Sequence, residues 1–341
     1  MKSSTHIARP LVAPLLLTLL ILAGCAKQGD STGGGASSTG SSAREKYKSG
    51  EKIVVGFSQM ENNGPWRIAE TASIKAEAAK RSGKFELKDT DARAQTSQQV
   101  SDVEDLIAQG VDVLFLAPKE YEGLAPALQA AREANIPVFL IDREAAGTVG
   151  QDYVSFLGSN FIEQGKRAGE WLAQTTNGKA NIVELTGTAG ASVARDRAQG
   201  FKDAISKHPD MKIIASQTGE FTRSEGLRVM QNIIQSKGNE ITAVYTHNDE
   251  MALGAIEALK AAGRKPGVDV IVISVDGQRT ALEAIARGEL NATVESNPRF
   301  GPLAFDTLEK YLNGETIPNK IILEDRFFDK SNAGQFTSEA Y

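Results

Sequence analysis

The 341-residue chain holds a single cysteine, Cys25, and three histidines, His6, His208 and His247. One cysteine excludes an internal disulfide framework and any cysteine-built metal site. Three scattered histidines leave little for a histidine-built catalytic or metal centre. The body also lacks a basic cluster. Lys and Arg number 38 against 43 Asp and Glu, a net charge of −5, and the first fifty residues hold six of the bases but only two of the acids. So acidic a body makes nucleic acid a poor partner. No GxGxxG follows the first strand-like run, no GxSxG follows any strand-like run (Gly29–Gly33 lies in the Ser- and Gly-rich segment), and no GxxxxGK[ST] or HExxH occurs. The usual nucleotide, hydrolase and zinc-protease sites are therefore unsupported, and neither cofactor nor metal is expected. What is present is ordinary globular material, 41% hydrophobic and 24% charged, in a length that suits about two domains.

Lys2 and Arg9 precede the apolar run Leu11 to Gly24, which contains Pro14. The run is too short to span a ~30 Å hydrocarbon core comfortably and reads as a secretory signal, residues 1–24. Its end, Leu22-Ala23-Gly24-Cys25, resembles the lipobox of bacterial lipoproteins. That resemblance implies that Cys25 becomes the lipidated first residue of the mature chain and anchors it to a membrane, extracytoplasmically. Residues 25–50 follow, Ser- and Gly-rich from Ser31 to Ser42. Such a composition buries too little apolar surface to offset its ordering entropy and is expected to be a flexible tether.

From Glu51 onward, apolar runs alternate with amphipathic stretches. Five strands are expected at Ile53–Ser58, Phe85–Asp89, Val113–Ala117, Val138–Asp142 and Val154–Gly158. Five more follow at Ala180–Leu185, Lys212–Thr218, Ala243–Thr246, Val270–Val275 and Ala292–Glu295. Helical patterns lie between them, among others Trp66–Arg81, Gln95–Gln109, Glu163–Thr176, Ala191–Lys207, Ser224–Ser236 and Glu250–Ala262. Near-continuous apolar strands separated by helices predict parallel sheets covered on both faces. The restart near Asn160 predicts two similar doubly wound α/β lobes.

In such sheets ligands bind beyond the carboxyl ends of the strands. The residues found there suit a polyhydroxylated ligand. Trp66 and Phe221 offer flat apolar faces to the C–H side of a sugar ring. Glu70, Asp142, Asn248 and Asp276 can accept hydrogen bonds from hydroxyls, and Arg67, Arg143 and Arg195 present planar donor forks. Trp66, Arg67 and Glu70 lie within one helical turn, so Glu70 is expected to face the same way as both. Three arginines against Glu70, Asp142 and Asp276 balance, which favours a neutral ligand. Taken singly each residue has a plainer reading: Asp142 and Asp276 as turn residues, Asn248 as a helix cap, Arg195 as a partner of nearby acids.

The sequence resembles the periplasmic sugar-binding proteins of ABC transporters, the ribose-binding-protein-like class. The resemblance spans nearly all of 51–341 and includes Ala194-Arg195-Asp196-Arg197, Gly200-Phe201, His247-Asn248-Asp249-Glu250-Met251 and Asp276-Gly277. Within the class it is most similar to galactofuranose-binding proteins, through Val55-Gly56-Phe57-Ser58-Gln59, Trp66-Arg67 with Glu70, Phe221-Thr222-Arg223-Ser224 and Gly301-Pro302. It implies that Asp142 and Arg143 bind sugar hydroxyls from one lobe and Arg195, Asn248 and Asp276 from the other, with Phe221 stacking. Trp66, Arg67 and Glu70 replace the aromatic pair of ribose binders, and Ser296 falls near their late glutamine. The first departure argues against ribose, and the second bears on the hinge-side contact.

The implied protein is a monomer that is not an enzyme. It closes on a monosaccharide by a hinge and delivers it to a permease, and through that to an ATPase. Three crossings between lobes are expected, near 157–160, at 276–277 or 295–297, and at 318–325. The first lobe is then 51–158 plus 297–320, and the second 159–296 plus 321–341. Other readings are a receptor feeding a chemotaxis or histidine-kinase sensor, a LacI-type repressor core, and an enzyme on a doubly wound scaffold. The repressor core lacks its N-terminal helix-turn-helix, and the enzyme lacks a visible nucleophile–base pair.

Overall fold

The computed structural model describes residues 40–341. The expected signal 1–24, Cys25 and the first part of the tether lie outside the described residues. All ten expected strands form. In the first lobe β1 (Ile53–Gln59), β2 (Phe85–Asp91), β3 (Val113–Ala117), β4 (Val138–Ile141) and β5 (Ser155–Ser159) are joined by a late strand, β11 (Lys320–Leu323). Their spatial order is β11-β5-β4-β3-β1-β2, and every pairing is parallel. The second lobe repeats the pattern with β6 (Lys179–Thr186), β7 (Asp210–Thr218), β8 (Ala243–Thr246), β9 (Ile271–Asp276), β10 (Ala292–Glu295) and β12 (Phe327–Asp329), ordered β12-β10-β9-β8-β6-β7. Only its last strand differs in sense, since β12 runs antiparallel to β10.

The strands are apolar on both faces because helices cover both. In β3, Val113, Phe115 and Ala117 pack into one cluster with Ile74 of α2 (Pro65–Lys80) and Phe305 of α10 (Gly301–Leu312). Leu114 and Leu116 pack into another, with Val103 of α3 (Thr96–Ala108) and Leu128 of α4 (Ala125–Glu133). In the second lobe α5 (Phe161–Thr175) and α6 (Ser192–Ile205) cover one face. The other is covered by α7 (Arg223–Lys237), α8 (Asp249–Ala261) and α9 (Arg279–Ala286). Three of these helices begin at a side-chain cap. Asn160, Thr222 and Asn248 accept the backbone N–H of Glu163, Glu225 and Met251, satisfying donors the helix itself cannot.

Two expectations are corrected. The tether does not run to residue 50, because Ser41–Lys48 form α1. Ala43 is buried, Tyr47 stacks on Phe85, Arg44 donates to the Tyr311 carbonyl, and Lys46 pairs with Asp112 at 2.7 Å. The fourfold spacing of Ala43 and Tyr47 is a helical signal that the surrounding Ser and Gly conceal. The lobe boundary at 320/321 is also displaced. Lys320–Leu323 pair in register with Phe156–Ser159, so the first lobe keeps β11 and the third crossing is 324–326. The first crossing falls at Asn160, between β5 and α5, and the second at 296–300, between β10 and α10. Asp276–Gly277 is no crossing, since β9, α9 and β10 belong to one lobe.

Candidate ligand-binding site

Both sheets aim their carboxyl ends at one cleft, and the cleft is closed. The Tyr121 N–H donates to the Gly190 carbonyl at 2.9 Å and the Glu144 N–H to Ser192 Oγ at 3.0 Å, each bond joining the two lobes. Between the lobes lies a cavity of about 280 Å³. That is slightly below the ~300–1,000 Å³ usual for drug-sized ligands, a size for a small solute.

Asp142 follows β4 with a φ of 64°. The Arg143 N–H donates back to the Ile141 carbonyl at 2.7 Å, closing a tight three-residue turn that throws both side chains into the cleft. Positive φ recurs at Phe221 (61°) and Asp276 (133°), also on the cavity wall. Such backbone is costly for non-glycine residues, and its concentration here marks the site.

Arg67 Nη2 donates to Asp142 at 2.7 Å and Nη1 to Glu70 at 2.8 Å. Its guanidinium lies 4.5 Å from the Trp66 ring centre, while Trp66 Nε1 donates to the Ser296 carbonyl in the second crossing. Arg143 is buried and donates to the Lys119 carbonyl, but its Nε–H has no acceptor among the described residues. Burial and the neighbouring Arg67 push its guanidinium down to about 9. Across the cleft the same group lies 5.2 Å from the Phe221 ring centre. Burial also raises the Asp276 carboxyl well above the ordinary range, with Arg197, at 3.6 Å, opposing it.

Seven of the expected residues meet at this cavity: Trp66, Arg67, Asp142, Arg143, Phe221, Asn248 and Asp276. Asn248 serves as cap and wall at once. Its Oδ1 accepts the Met251 N–H and its Nδ2 donates to the Phe221 carbonyl, so what remains for a ligand is the second Nδ2 N–H and the second lone pair of Oδ1.

Glu70 does not reach the cavity. It sits behind Arg67, fully buried, and accepts from Arg67 and Gln59. Arg195 is the clear correction. It turns out of the cavity, half exposed, and pairs with Asp196 at 2.7 Å while facing Tyr121 and Glu144 of the other lobe. Arg197 takes its place. The signal was in the helix period: Val193, Arg197, Gly200, Phe201 and Ala204 form the buried face of α6, and a residue two positions away must point elsewhere.

Glu61, Arg223, Glu250 and Gln278 also line the cavity, and none of them is among the expected ligand contacts. Glu61 makes no side-chain hydrogen bond among the described residues, whereas Arg223 and Glu250 pair at 2.7 Å and Gln278 donates to Glu250. The charges balance with partly new members: Arg67, Arg143, Arg197 and Arg223 against Glu61, Asp142, Glu250 and Asp276. No cluster of three His, Cys, Asp or Glu suited to a metal ion occurs among the described residues.

A periplasmic binding protein domain matches residues 55–316. The chain belongs to the periplasmic binding protein family. Galactofuranose-binding protein YtfQ of Escherichia coli (strain K12) is 45% identical over 274 residues, covering 80% of this periplasmic binding protein and 86% of the relative. The binding component of an arabinose ABC transporter from Shewanella sp. ANA-3, bound to L-arabinofuranose, superposes with a TM-score of 0.81 at 40% identity, covering 84% and 95% of the two chains. A Mycobacterium smegmatis protein in complex with β-D-fucofuranose gives 0.80 at 41% identity, covering 83% and 93%. Periplasmic binding proteins bind solutes without transforming them, so the chain is not an enzyme, and they work outside the cytoplasm. No helix among the described residues is long and apolar enough to cross a membrane.

Proposed function

We propose that this periplasmic binding protein captures a neutral monosaccharide in its furanose form, galactofuranose or a close relative, and delivers it to an ABC permease. The observation that carries the reading is the closed, charge-balanced cavity with Trp66 and Phe221 in opposite lobes. Four arginines and four carboxylates supply directed donors and acceptors to hydroxyls without selecting for charge, and the buried Arg143 Nε–H, 3.7 Å from Asp142 and without a hydrogen bond, can donate to a ligand oxygen. The furanose ligands of the relatives support the ring form. Arg67, Asp142 and Arg143 hold the sugar from the first lobe, Arg197, Asn248 and Asp276 from the second, and Trp66 and Phe221 pack on its apolar side. Because ligand contacts come from both lobes, binding favours the closed state, which the permease reads.

Cys25 carries the lipid that tethers the receptor to the membrane, through residues 26–39. Its replacement, Cys25→Ser, releases the protein into the soluble fraction; continued membrane association would exclude a lipid anchor there. The ligand itself is read by native mass spectrometry of protein purified without unfolding. A released mass matching a neutral pentose or hexose supports the reading, and a charged solute contradicts it.

A further inference from the structure

We propose that Gln164, which does not touch the cavity, is a positioning residue that couples the ligand-facing Arg197 to the hinge. Gln164 sits in the first turn of α5, just after the first crossing, and is 1% exposed. Its side chain is fully used. Oε1 accepts from Arg197 Nε at 2.9 Å, and Nε2 donates to the Glu295 carbonyl at 3.2 Å and to Asp325 Oδ2 at 2.7 Å. Glu295 ends β10 where the chain enters the second crossing, and Asp325 is the middle of the third. The other Asp325 oxygen accepts from Ser159 Oγ at 3.0 Å, at the end of β5 where the first crossing begins. One amide therefore joins a cavity guanidinium to all three strands of the hinge.

Close packing makes this reach possible. A Cβ on Gly165 would lie 2.1 Å from the Arg197 carbonyl oxygen, and one on Gly200 1.9 Å from that of Ile162. With glycine at both places, α5 and α6 approach closely enough for Gln164 to meet Arg197. The guanidinium is held on its other edges by the His247 carbonyl and by Asp276. A shift of Arg197 toward a ligand oxygen consequently moves the acceptor that fixes Gln164, and with it the two hinge acceptors. Methionine here keeps the length of the side chain and loses all three bonds, while glutamate keeps an acceptor for Arg197 but cannot donate to Glu295 or Asp325.

The coupling rests on the sugar reading only for its ligand arm, so the test has two arms. In the first, hydrogen exchange is followed without ligand in wild type, Gln164→Met and Gln164→Glu. The reporters are the N–H groups of Glu295, Ser296 and Arg326, which are hydrogen-bonded within or beside the crossings. Exchange there is expected to rise tenfold or more, with β6 and β8 unchanged. Exchange within twofold of wild type at all three reporters overturns the proposal. Should Gln164→Met not fold, Asp325→Ala cuts the same link from the hinge side and leaves Gln164 on Arg197. In the second arm, small-angle scattering follows compaction on saturation with methyl β-D-galactofuranoside. Wild type is expected to compact fully and the variants partially, and equal compaction overturns the coupling. A wild type silent to the sugar contradicts the proposed ligand, while the exchange arm still decides the role of Gln164.

Discussion

Asp142 and Asp276 occupy equivalent positions in the two lobes. Asp142 directly follows the fourth strand of its lobe and Asp276 ends the fourth strand of the other, each has a positive φ (64° and 133°), and each meets an arginine, Asp142 with Arg67 at 2.7 Å and Asp276 with Arg197 at 3.6 Å. The repeated fold thus delivers two acid–arginine pairs to the cavity, one from each side. Asp142→Asn and Asp276→Asn should each weaken sugar binding tenfold or more, since a lost charged acceptor strands a buried guanidinium at ~1–3 kcal/mol. Calorimetric titration measures this, with thermal melts to establish folding. Affinities within twofold of wild type would remove both acids from the site.

The two neighbouring arginines of α6 should separate cleanly. Arg197→Ala is expected to abolish measurable binding. Arg195→Ala should raise the dissociation rate only up to about fivefold, because its half-exposed contacts with Glu144 and Tyr121 are worth ~1 kcal/mol or less. Stopped-flow dissociation distinguishes the two, and the opposite ranking would restore Arg195 to the cavity.

Gly187 supports Phe221 without lining the main cavity. A Cβ there would lie 1.8 Å from the Phe221 ring, so Gly187→Ala must displace the ring or the strand end behind it. Sugar affinity should fall tenfold or more with the fold retained. An unchanged affinity would mean that Phe221 is not a ligand contact.

Asp249 lies beneath Asp276 and accepts from Ser274, Thr293 and the Gln278 N–H. Burial nonetheless pushes its carboxyl from 3.8 up to about 7. The folded state therefore holds the proton more tightly than the unfolded chain. The stability this confers is complete below pH ~4 and is lost as pH rises to about 7. An Asp249→Asn variant can keep the three bonds by turning its amide, so the stability of wild type minus that of the variant should fall by on the order of 2–4 kcal/mol between pH 4 and 7. Urea melts across this range measure the difference; a difference that is flat or rises with pH would place the charge of Asp249 elsewhere.

The parts of the fold legible in the sequence are those fixed by burial on two faces. Val113–Ala117 and Ala243–Thr246 are buried throughout because a helix covers each side, and both form with the expected bounds. Lys320–Leu323 and Phe327–Asp329 escaped notice because they are short and partly exposed edge strands whose partners, not their composition, make them strands. At the site, residues just after strand ends were readable, since the topology alone aims them at the cleft. Arg197 required the phase of α6. Glu61, Glu250 and Gln278 required the meeting of loops and helix ends far apart in sequence, which no local pattern encodes.

The central claim is tested most directly by titrating the wild-type receptor, freed of bound ligand by unfolding and refolding, with methyl β-D-galactofuranoside and, in parallel, its pyranoside and ribose. One-to-one binding of the furanoside at least a hundredfold tighter than either comparator is predicted. Equal or tighter binding of the pyranoside or of ribose, or silence toward all three by a folded protein, would contradict it.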